Sequence, residues 1–158
     1  MSVRLQVSTH IQADEQAVWD VLVDWTGQSR WIPFTTVRVV TDHDEGLGVR
    51  AEALSGFWLG GLPVGLLDRF VVTGWTPPYD GSAELEVLHL GPYFTGEGVF
   101  ALRSDGTGTT VTCTEMINVP GGAVTEPLVR LALPLMRAGF GGSLKALASL
   151  AQSSDPQG

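Results

Sequence analysis

Three acidic or imidazole side chains sit at positions where the local alternation turns them inward. In Ala83-Glu84-Leu85-Glu86-Val87-Leu88-His89-Leu90 the glutamates alternate with apolar residues. A strand here faces Glu84 and Glu86 to water and Leu85, Val87 and His89 to the interior, by the two-residue period of extended chain. In Val111-Thr112-Cys113-Thr114-Glu115-Met116-Ile117 the same period groups Glu115 with Val111, Cys113 and Ile117. An inward carboxylate must be paired or have a raised pKa, because burying an unpaired charge is expensive. Asp68 shares parity with Phe70 and Val72 and makes a third inward polar group near the start of its strand. Inward polar groups of these types can orient a ligand by hydrogen bonding or move a proton. Rim positions, or a polar pair that satisfies itself, are the alternatives that parity leaves open.

Other reactive side chains carry less. His10 ends the first apolar-alternating run and His43 lies in the acidic turn Asp42-His43-Asp44-Glu45, so both are expected in water. Cys113 reads as a small buried hydrophobe, since no motif brings it an activating base. The chain has no Gly-x-Ser-x-Gly, His-Glu-x-x-His, P-loop lysine motif or dinucleotide-binding glycine fingerprint. No catalytic residue, metal site or cofactor is assigned from motifs.

Composition narrows the partners. The chain has 158 residues, 44% hydrophobic and 16% charged, with 20 Gly, which suits one packed domain. A formal net charge of −8 repels phosphate backbones and anionic membranes, so nucleic acid is excluded as a partner. One cysteine makes no disulfide and no zinc cluster, which fits a reducing cytoplasm. The N-terminus alternates polar and apolar residues and does not read as a signal peptide. Arg130, Arg137 and Lys145 interrupt the apolar stretch from Leu128 to Leu150, so no membrane-spanning segment is expected.

The elements that must position these groups follow from period and turn chemistry. Val3, Leu5 and Val7 make a first strand. A helix follows from Asp14, its N-cap, with Ala17, Val18, Val21, Leu22 and Trp25 at helical spacing. Ser29-Arg30-Trp31-Ile32 makes at most a second short helix before Pro33. Trp19, Trp25 and Trp31 read as core. Six strands are then expected near Val37–Thr41, Gly48–Ser55, Gly65–Thr76, Ser82–Leu90, Tyr93–Arg103 and Thr109–Val119, separated by Gly, Pro and Asp turns.

The final helix is expected from Thr125, as N-cap, to about Ala151, bent at Pro134, with Arg130, Arg137 and Lys145 on one solvated stripe. Gly139, Gly141 and Gly142 weaken it, each by roughly 1 kcal/mol of helix propensity. Close packing on the sheet explains them, or space kept open for a ligand. Residues 1–151 form one domain, with 152–158 a frayed tail.

The run Ile11-Gln12-Ala13-Asp14-Glu15-Gln16-Ala17-Val18-Trp19-Asp20-Val21-Leu22-Val23-Asp24-Trp25, followed by Trp31-Ile32-Pro33, resembles the opening of the START-like (SRPBCC) superfamily, the polyketide cyclase/dehydrase and lipid-transport group. Trp75-Thr76-Pro77-Pro78 and Asp105-Gly106-Thr107-Gly108-Thr109-Thr110-Val111-Thr112 resemble its later segments. The resemblance implies an α+β helix-grip (Bet v 1-like) fold: a curved seven-stranded antiparallel sheet wrapped around a long C-terminal helix, with two short helices after strand one. It also implies a cavity between sheet and helix, entered past Phe57-Trp58-Leu59-Gly60-Gly61-Leu62-Pro63-Val64, past the Gly91-Pro92-Tyr93-Phe94 turn and past Pro120-Gly121-Gly122.

The first of these segments reads as an apolar hairpin loop, a gate hinged at Gly60-Gly61 or a loop folded onto its own core. Asp68, Phe70, His89, Glu115, Phe57, Trp58 and Tyr93 are the candidate ligand contacts. The leading function is binding of an apolar small molecule, a lipid, polyketide or aromatic metabolite. The alternatives are a polyketide aromatase/cyclase and a regulatory or antitoxin-like partner protein.

Overall fold

The computed structural model describes residues 2–154, apart from the side chains of Phe57, Trp58, Leu59 and Pro63. Strand β1 (Val3–Ile11) is followed by helix α1 (Glu15–Val23) and a 3-10 turn at Thr26–Arg30. Six strands come next: β2 (Thr35–Val39), β3 (Arg50–Leu59), β4 (Leu62–Tyr79), β5 (Ser82–Pro92), β6 (Thr95–Ser104) and β7 (Thr109–Ile117). Helix α2 (Glu126–Ser154) closes the chain. All strand pairs are antiparallel, in the order β1-β7-β6-β5-β4-β3-β2. This is the helix-grip arrangement.

The local signals act as expected at the start of the chain. Asp14 Oδ1 accepts a hydrogen bond from the Ala17 amide at 2.7 Å, capping α1. Ala17, Val18, Trp19, Val21 and Leu22 are buried. They join Trp25, Phe70, Val72, Leu85, Leu102 and Val111 in one core, with Trp19 edge-on to Trp75 at 5.1 Å. Trp25 and Trp31 are buried with Trp19, and the Trp25 indole donates to the Asp44 carbonyl at 2.7 Å.

The segment from Phe57 to Val64 is not a loop. Phe57 pairs with Val64, Trp58 with Pro63 and Leu59 with Leu62 along the β3–β4 ladder, leaving Gly60 and Gly61 as the whole turn. Both glycines have positive φ, 57° and 84°, the requirement of the two-residue turns that match strand twist. The ladder can therefore run to its end through apolar residues. Asp80 and Gly81, at φ 49° and 74°, make a second such turn, so β4 continues to Tyr79 through the prolines expected to break it.

Helix α2 corrects two expectations. Its buried residues, Ser143, Leu144, Leu147 and Ala151, all lie in the second half, while Leu128, Leu131 and Leu135 are mostly exposed. Only part of the helix therefore rests on apolar neighbours; it packs against β1 and α1. Close packing is also not what Gly139, Gly141 and Gly142 serve, because a Cβ built at any of them meets nothing within 4 Å among the described residues. The Thr125 hydroxyl turns back to donate to the Gly122 carbonyl at 3.3 Å. The helix runs three residues past Ala151, to Ser154; residues 155–158 lie outside the described part.

Candidate functional site: a buried carboxylate–imidazole–carboxylate cluster

Strand parity held across β4, β5 and β7. Leu85 and Val87 are buried, as are Val111, Cys113, Glu115 and Ile117, so His89 and Glu115 share the concave face. Asp68 precedes buried Phe70 and Val72 at the same spacing. The pairing then brings the three polar groups together. Phe70 lies opposite His89, whereas Arg69 lies opposite Gly91, so β5 spends one extra residue, Leu90, against β4. Bulges of this kind re-aim side chains. His89 Nδ1 lies 2.8 Å from Asp68 Oδ2, hydrogen-bonded diagonally across the two strands.

On the other side of His89, β6 intervenes before β7. Two strand spacings are about 9.6 Å, beyond the reach of ordinary cross-strand contact. The contact is made because the inward positions of β6 opposite His89 and Val87 are Gly96 and Gly98. Glu115 is the β7 partner of Gly98 and reaches over it, bringing Oε2 to 3.3 Å from His89 Nε2. A Cβ on Gly98 would stand 2.8 and 2.9 Å from the two Glu115 carboxylate oxygens. Glycine in the middle of a strand marks such a close approach.

The three side chains lie close together and largely out of water. Side chains of Asp68, His89 and Glu115 are 15%, 12% and 8% exposed. Burial alone disfavours the charged imidazole, but the Asp68 hydrogen bond and the Glu115 carboxylate outweigh it and hold His89 up at about 9. At neutral pH the ring is therefore an imidazolium between two carboxylates. The Glu115 contact is an ion pair without hydrogen-bond alignment, and both His89 Nε2 and Asp68 Oδ1 are buried without a hydrogen-bond partner among the described residues. Cys113 donates weakly to Glu115 Oε1 at 3.8 Å, and its own thiol is pushed well up by burial and then by the Glu115 charge. It is not a nucleophile in this state.

Aromatic rings enclose the imidazole. Phe70 lies 6.3 Å from it, edge-on, and Phe94 lies 5.1 Å away. Tyr93 in the same turn is half exposed. Beyond Asp68 on the same parity of β4, Leu66 and Val64 are each 42% exposed, so the concave sheet presents open apolar surface next to the cluster. Phe57 and Trp58 lie outside the described side chains. His10 and His43 are solvent-facing, paired with Asp105 at 3.5 Å and Asp42 at 3.2 Å.

The three polar groups were legible in the sequence, whereas Phe94 was placed only in the entrance turn and Gly98 was missed. The signal for Gly98 was present: it shares parity with Phe100 and Leu102, where a side chain is expected to point inward. Among the described residues no group of three or more His, Cys, Asp or Glu side chains is arranged to hold a metal ion. No helix among them is long and apolar enough to cross a membrane.

Residues 2–152 match the family model described as polyketide cyclase / dehydrase and lipid transport. The chain belongs to this family. Solved structures share the fold of this polyketide cyclase/dehydrase-family protein at low identity. The Thermus thermophilus protein TTHA0849 is 19% identical, with a TM-score of 0.72 over 96% of this chain and 99% of that one. The ZhuI aromatase/cyclase of Streptomyces sp. R1128 is 15% identical, with a TM-score of 0.66 over 96% and 94%. The di-domain aromatase/cyclase StfQ of the steffimycin biosynthetic pathway is 10% identical, with a TM-score of 0.70 over 97% of this family member and 51% of StfQ. Comparison with curated proteins gives no significant match.

Proposed function

We propose that this protein binds an apolar small molecule, a lipid, polyketide or aromatic metabolite, on the concave face of the sheet, with Asp68, His89 and Glu115 as its polar floor. One observation carries the reading: three ionisable side chains from three strands converge in a buried cluster that leaves two polar atoms without hydrogen-bond partners among the described residues. Folding alone gains little from such a cluster, since a buried ion pair is often no more stable than an apolar replacement. Placing a few convergent polar groups beside apolar surface is how small-molecule sites fix orientation. Phe70 and Phe94 wall the cluster, and Val64 and Leu66 extend it along the same parity of β4. A cytoplasmic setting suits the single buried thiol of Cys113.

The test combines native mass spectrometry of the purified protein with displacement of an apolar fluorophore. A co-purifying compound or saturable displacement supports the reading. A bare mass together with no fluorophore binding removes it.

A second reading, an aromatase/cyclase, is favoured by the two aromatase/cyclase structures that share the fold. In it the pocket folds a reactive poly-β-ketone, His89 donates a proton from Nε2 to a developing oxyanion, and a carboxylate accepts one from the reacting carbon. Incubation with poly-β-ketone substrates, comparing wild type with His89→Ala and Glu115→Ala, decides it. Product formation unchanged in both variants excludes these residues from the chemistry.

A further inference from the structure

We propose that the ligand of this site presents an uncharged hydroxyl, alcoholic or phenolic, to Asp68 and His89, and that the site rejects carboxylate-bearing ligands such as fatty acids. The inference rests on the binding reading above and adds the chemical class of the occupant. It starts from which atoms of the cluster are spoken for. Asp68 Oδ2 accepts from His89 Nδ1, and Glu115 Oε1 receives the weak Cys113 donor, but among the described residues Asp68 Oδ1 has no donor and His89 Nε2 has no aligned acceptor. A buried acceptor without a donor costs the desolvation of that oxygen, so a group that brings a hydrogen recovers more than an apolar group of the same shape.

Charge then selects among such groups. Two carboxylates stand against one imidazolium, leaving an excess of negative charge in a poorly hydrated place. The basic residue next to Asp68 in sequence, Arg69, does not correct this: it faces the outer side of the sheet and pairs with Glu52 Oε1 at 3.3 Å. A ligand carboxylate brings no hydrogen for Asp68 Oδ1, adds a third negative charge and must shed its own water. An ammonium satisfies Asp68 but meets the imidazolium. A hydroxyl donates to a carboxylate oxygen, offers lone pairs to an imidazole N–H and carries no charge.

A matched probe series reads this directly. Titration calorimetry at pH 7 of the full chain with 2-naphthol, 2-methylnaphthalene and 2-naphthoate holds the apolar skeleton constant. 2-Naphthol is expected to bind at least about tenfold more tightly than 2-naphthoate and several-fold more tightly than 2-methylnaphthalene. In Asp68→Asn the naphthol-to-naphthoate ratio falls by about fivefold or more, because one negative charge is gone. Glu115→Gln gives the same direction if Asp68→Asn does not fold. Naphthoate binding as tightly as naphthol to wild type, or a ratio unchanged in a folded variant, overturns the proposal while leaving the binding reading in place. Binding of none of the three probes overturns the proposal, and together with a bare mass and no fluorophore binding it removes the binding reading as well.

Discussion

Glu115 on β7 touches His89 on β5 across an entire intervening strand, and it does so over the bare backbone of Gly98. The ion pair is thus created by a missing side chain. Substituting Gly98→Ala places a methyl group 2.8 and 2.9 Å from the Glu115 oxygens and 3.0 Å from Val87 Cγ2. The flexible end of Glu115 gives way first. We expect a modest loss of stability, about 1 kcal/mol, at the low end for overpacking. His89 should titrate measurably lower than in wild type, seen by NMR of its ring. An unchanged His89 titration shows that Glu115 reaches the imidazole by another route.

The raised His89 pKa makes stability pH-dependent with a definite sign. The folded-state value of about 9 lies above the ordinary 6.5, so the native state holds a proton that the unfolded chain releases first. This contribution is complete below about pH 6.5 and is lost as pH rises through about 9. Its ceiling is about 3 kcal/mol, from about 1.4 kcal/mol per pKa unit. Urea unfolding at pH 6 and pH 9.5 should show wild type losing stability across the interval and His89→Gln losing much less. Parallel curves for the two proteins rule out this linkage.

Cys113 is expected to resist alkylation in the native protein. Burial and the neighbouring Glu115 carboxylate both oppose its thiolate. Iodoacetamide at pH 8 should label it only slowly without denaturant and rapidly in urea, read by intact mass. Rapid native labelling means that the β7 face opens far more readily than its packing implies.

Gly139→Ala and Gly142→Ala should each stabilise α2 by about 0.5–1 kcal/mol, through helix propensity and reduced unfolded-chain entropy. A Cβ at either position meets no neighbour, so there is no clash to subtract. Thermal unfolding midpoints check this. A lowered midpoint for either variant means that something packs closely against that part of the helix.

What the sequence determined by itself is whatever depends on local period and turn chemistry. Alternation in Glu84–His89 and Val111–Ile117 sent His89 and Glu115 inward, and Asp68 followed Phe70 and Val72. The Asp14 cap, the α1 face and the beginning of α2 at Glu126 were equally legible, because each is fixed within a turn or two of chain. The order of elements followed from these, and the helix-grip fold from the resemblance carried by Ile11–Trp25 and Trp31-Ile32-Pro33.

Tertiary structure decided the rest. Parity says that Asp68, His89 and Glu115 face one way; only strand pairing says that they meet, since they are separated by 21 and 26 residues of chain. The Leu90 bulge and the Gly96–Gly98 gap set the distances, and neither has a meaning until the neighbouring strands are known. The Phe57–Val64 segment misled for the same reason: apolar residues beside two glycines look like a loop, but ladder hydrogen bonds from a partner strand turn six of those eight residues into sheet. The leucines in the first half of α2 carry the helical spacing of a buried face and are exposed, because a hydrophobic period records which residues share a side, not whether another element arrives to cover it.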